Sequence, residues 1–83
     1  MITQRWSIER VGRLTRSPYP RRRHYRAIGL RRPAILMIVE ISPRRWVAFA
    51  PHDGSFPHVD GTSLIRCLSV AERQLKAHTV RTS

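Results

Sequence analysis

The chain has 83 residues, enough for one domain around one core. It carries 16 Lys+Arg against 5 Asp+Glu, a formal net charge of +11. With one cysteine an internal disulfide framework is excluded, and the longest apolar run, Ala34–Val39, is far below the ~20 residues that cross a bilayer as a helix.

The charge is not spread evenly. Residues 1–45 hold twelve arginines against Glu9 and Glu40, while residues 46–83 hold Arg66, Arg73, Arg81 and Lys76 against Asp53, Asp60 and Glu72. All but one of the cations are arginine, whose planar fork of donors suits phosphate oxygens and base edges. A domain with this surplus of cations repels itself, and a polyanion relieves the repulsion, which points to DNA or RNA.

Residues 1–16 begin with alternating Trp6 and Ile8, which predicts a strand over Gln4–Arg10. Ile8, Val11 and Leu14 also recur at helical spacing, but Gly12 weakens a helix there. Ser17–Arg23 reads as a loop, because Pro18 and Pro20 lack a backbone N–H and bias their neighbours to extended forms. Tyr25, Ala27 and Ile28 predict a short strand that ends at the Gly29–Pro33 punctuation.

Ala34–Ile41 is apolar on both faces, Ile35, Met37, Val39 and Ile41 alternating with Leu36, Ile38 and Glu40. Such a segment belongs in the middle of a sheet covered on both sides. Ser42-Pro43-Arg44-Arg45 reads as a turn, with Pro suited to its second position. Trp46–Ala50 then predicts the returning strand of an antiparallel hairpin over about 34–50, with Arg44 and Arg45 at or beside its tip. Residues 51–61 form a turn-rich loop of two similar halves, PHDG and PHVDG.

Leu64, Leu68, Ala71, Leu75 and His78 make one stripe at helical spacing, predicting a helix over about 63–78. Ser69 with Glu72 offers a competing start as a capping box, with Ser63–Leu68 as a strand, but the unbroken stripe favours the longer helix. The fold class expected is therefore α+β: an antiparallel sheet of three to four strands with a C-terminal helix on one face. Residues 1–33 would be an Arg-rich, partly extended segment and residues 34–79 the sheet-plus-helix core. With the helix on one face of the 34–41 strand, Leu36 and Ile38 need another cover: the Trp6 segment, a second copy, or a protein partner.

Cations interleaved with flat rings are what nucleic-acid binding requires, the first for phosphates and the second for bases. The expected contact residues are Arg21, Arg22, Arg23, Tyr25, Arg26, Arg31 and Arg32, near Tyr19, joined by the hairpin-tip Arg44 and Arg45. Trp46, beside that tip, reads as a core residue. His52, Asp53, His58 and Asp60, with Cys67, are ligand-type residues, but their spacing matches no established pattern, so no metal or cofactor is expected. Cys67 lies beside Leu64 and Leu68 and reads as a small core residue, so no enzyme activity is expected. No apolar stretch follows the basic N-terminus as a secretory leader would require, so a cytoplasmic location is expected.

The run W-V-A-F-A-P-H-D-G followed by S-V-A-E-R-Q-L resembles the arm-binding domains of tyrosine integrases, which implies a three-stranded sheet, a helix and DNA binding. The stretch between turn and helix departs from that pattern. Two functions are thus expected from different classes. The first is a nucleic-acid-binding accessory protein. The second is a small phage-like interaction protein that docks on and inhibits a nucleoprotein complex, such as a defence or CRISPR-type machine, through the Leu36–Ile38 face.

Overall fold

A computed structural model describes residues 2–13 and 17–82, with the side chains of Arg13 and of 78–82 excepted. Five strands and a helix follow one another: β1 (Trp6–Arg13), β2 (Arg23–Gly29), β3 (Ile35–Ser42), β4 (Arg45–Phe49), β5 (Val59–Gly61) and α1 (Leu64–Thr82). The strands form one antiparallel sheet in the order β1-β2-β3-β4-β5, so each pairs with its neighbour in sequence.

The α+β class and the 34–50 hairpin are as the sequence predicts, but the sheet has five strands instead of three or four. The added strand, β5, lies in the Pro/Gly-rich loop and pairs Val59 with Ala48 and Gly61 with Trp46. It also departs from the three-stranded sheet implied by the integrase-arm resemblance. Leu14, on which a helical reading of the first segment depended, and Arg16 lie outside the described residues.

β3 is the middle strand, and both its faces are buried. The helix takes the face of Leu36 and Ile38, which are 1% and 0% exposed, together with Ala27, Ala48, Val59, Cys67, Leu68 and Ala71. Trp6 and Ile8 complete this core from β1. The face expected to need a cover other than the helix, whether the Trp6 segment, a second copy or a protein partner, is therefore the centre of the core, closed by the helix and Trp6 together. Periodicity separates two faces but does not say which one a helix takes. Size decides here, because Ala27, Ala48, Gly61, Cys67 and Ala71 let the two backbones approach closely. At Gly61 the approach is tight: a Cβ would lie 2.5 Å from Cys67 Cα and N.

α1 starts where the longer of the two readings places it. Ser63 caps it, its Oγ accepting from the Arg66 N–H at 3.2 Å. Ser69 is inside the helix, its hydroxyl donating to the Ile65 carbonyl at 3.1 Å, and so does not begin one. Arg5 donates to Glu72 at 2.8 Å, joining the segment before β1 to the helix, and the carboxylate raises the Arg5 pKa.

The opposite face of the sheet carries Met37, Val39 and Phe49, with Val11, Tyr19 and Ile41 packed on them. Its cover is the 17–22 loop, held by His24, which is wholly buried. The His24 Nδ1–H donates to the Arg22 carbonyl at 2.8 Å, and Nε2 meets the Ser17 hydroxyl at 2.5 Å. Phe49 lies edge-on to the ring at 6.5 Å. His24→Ala would remove buried volume and strip both loop groups of their partner. It is expected to cost about 2–3 kcal/mol in a urea melt and to expose the 17–22 loop to limited proteolysis.

Candidate nucleic-acid interface

Antiparallel pairing decides which arginines meet. β2 begins beside the end of β3, since His24 pairs with Val39, and β3 turns directly into β4 with Ser42 opposite Arg45. The Arg21–Arg23 turn and the Arg44–Arg45 hairpin, about twenty residues apart in sequence, therefore stand at one end of the sheet. A notch of about 250 Å³ at this end is lined by Arg21, Arg22, Arg23, the acidic Glu40, Ile41 and Ser42–Pro43. Arg22 Nη1 donates to the Ile41 carbonyl at 2.8 Å, which braces the turn against β3.

All five of these arginines are exposed. Among the described residues only Arg45 has a carboxylate partner, Asp60 at 3.6 Å. Both groups are more than half exposed, so the pair is worth about 0–1 kcal/mol and yields readily to a phosphate. Arg21 also holds a φ of 69°, in the left-handed region that an L side chain adopts at a cost of ~1 kcal/mol. It follows Pro20, and Pro before a positive-φ residue is the pairing of a type II turn, where glycine is the usual occupant. Arg21→Gly is accordingly expected to stabilise the fold by up to about 1 kcal/mol in thermal melts while weakening polyanion binding.

The remaining expected contacts go elsewhere. β2 carries the chain to the far end of the sheet, about 20 Å away by strand rise, before Arg31 and Arg32 appear. The unbroken basic stretch of the sequence is thus two separate groups in space. Arg26 lies between them on the face away from the helix, 3.3 Å from Glu9. Tyr25 and Trp46 are half-buried on the helix side, their rings 5.7 Å apart and tilted by 47°. Tyr19 packs on Phe49, and its hydroxyl meets His58 Nδ1 at 2.8 Å.

The loop residues of ligand type are dispersed. The Asp53 carboxylate accepts from the Ser55 N–H at 3.0 Å and its hydroxyl at 2.6 Å, and Asp60 faces Arg45. No group of three His, Cys, Asp or Glu among the described residues is placed to share a metal ion. Cys67 is fully buried, with Sγ donating to the Val59 carbonyl at 3.7 Å. Burial, and secondly the charge of Asp60, push the thiol up to about 11. A raised folded-state value contributes stability that is complete below the unfolded thiol range and lost as pH climbs through the folded value. Stability should therefore fall between about pH 9 and 11, more steeply than in Cys67→Ala, when both are melted in urea across that range.

Among the described residues no helix is long and apolar enough to cross a membrane. No protein-family model matches the chain, and no curated protein or solved structure matches it.

Proposed function

We propose that this protein binds nucleic acid, with the Arg21–Arg23 turn and the Arg44–Arg45 hairpin gripping the phosphate backbone. One observation carries the reading: two arginine groups distant in sequence converge on one end of the sheet, five exposed cations against Glu40 and Asp60, with the weak Arg45–Asp60 contact as their one ion pair among the described residues. Structural cations are normally balanced by nearby acids, whereas a surplus gathered at one edge is the electrostatic footprint of a polyanion site. The guanidinium forks suit phosphate oxygens, and these contacts position the ligand without selecting a sequence.

A salt titration tests the reading. Five engaged arginines release counterions on binding, so a plot of log K against log salt should fall with a slope of about −4. A flat plot would remove phosphate neutralisation as the source of affinity.

A further inference from the structure

We infer that the ligand is a single strand, whose bases stack on an aromatic platform formed by Tyr25 and Trp46; this rests on the nucleic-acid reading above. The helix backbone lies over β3, β4 and β5, and its side chains share a core with β1 and β2 at Trp6, Ile8 and Ala27, towards the end of the sheet away from the arginine turns. At the arginine-rich end of the helix-side face, Arg10 and Arg23 are exposed and Tyr25 is only half-buried. Strand register states what stands there. Arg10 pairs with Tyr25, so both side chains project on that face, and Arg23, two residues before Tyr25, projects with them. Trp46 reaches the same face from β4, opposite Glu40. The two rings meet across β3 while each stays partly exposed, and Arg10 and Arg23 beside them are exposed with no carboxylate partner among the described residues.

Flat rings flanked by unpaired cations match the two needs of an unpaired strand, a π-face for each base and a positive track for its backbone. A duplex keeps its bases stacked inside and cannot use the rings, so Tyr25 and Trp46 add affinity only for single strands. Arg10 has no place in a purely sequential reading of the basic stretch and joins the site through strand pairing.

The test is a titration of the full chain with short oligothymidylate and with a duplex of equal length, followed by anisotropy and tryptophan fluorescence. The expected result is binding of the single strand about tenfold tighter than the duplex, with quenching of tryptophan emission. Tyr25→Leu, which keeps an apolar cover over the core, should lower single-strand affinity about tenfold and leave duplex affinity unchanged, while Tyr25→Phe, which keeps the ring, should bind like the parent. Equal affinity for the two ligands, or equal behaviour of the Leu and Phe variants, overturns the platform and leaves the phosphate grip standing. Absence of binding to either ligand overturns both.

Discussion

Replacing Arg23 and Arg44 together by glutamate is expected to weaken nucleic-acid binding about 100-fold at moderate salt, whereas replacing Arg31 and Arg32 in the same way is expected to weaken it less than about tenfold. Both double variants lower the net charge equally, from +11 to +7. Only location differs. Arg23 and Arg44 stand at the end of the sheet where the two basic turns converge, and Arg31 and Arg32 stand a strand length away. Each reversal at the convergent end removes one attraction and adds one repulsion. Four such terms, at about 0.7 kcal/mol each for exposed groups, make about 2.8 kcal/mol, a factor of ~100. Neither Arg23 nor Arg44 has a carboxylate partner among the described residues, so the fold should tolerate both changes. Anisotropy titrations of the two variants check this. Equal losses would mean that overall charge attracts the ligand and the sheet end has no special part.

The largest expected effect on stability is at Gly61. A methyl group there would come within 2.5 Å of the Cys67 N and Cα, which are helix backbone and cannot be turned aside as a flexible side chain can. Gly61→Ala must push α1 off β5, loosening the packing of Cys67, Leu68 and Ala71 against the sheet. An overpacked junction of this kind costs about 3 kcal/mol, a fall in midpoint temperature on the order of 15 °C for a domain of this size. Gly54→Ala is the control, because nothing lies within 4 Å of a Cβ at that position. Similar melting of the two variants would show that helix and strand do not approach this closely in solution.

The contrast between these positions indicates what is legible in the sequence. Local signals located the hairpin and the helix well, since an apolar run, a Pro turn and a helical stripe each act through neighbouring residues. β5 escaped because three residues between prolines and glycines have no period to detect. His24 escaped for a related reason: one histidine among arginines reads as surface, and only the fold brings the Ser17 hydroxyl and the Arg22 carbonyl to its two nitrogens. The excess of arginine was legible in the sequence, but its arrangement in space was not. Charge counting raises the proposal of a polyanion surface, yet it joins Arg21–Arg23 to Arg31–Arg32, which β2 separates, and omits Arg10, which pairing places beside Tyr25. Register is a long-range property, and no single segment encodes it.

The order of the strands also bears on how the molecule forms. Every strand pairs with the one before it, so the sheet can grow by successive hairpins, each closing a short loop at little entropic cost. Growth alone does not shelter Leu36 and Ile38, because the face that holds them is closed by a helix that follows all five strands. Until that helix docks, the nascent sheet exposes its most apolar surface. The rate of docking, with Gly61 as the point of contact, therefore sets how long the chain remains prone to self-association.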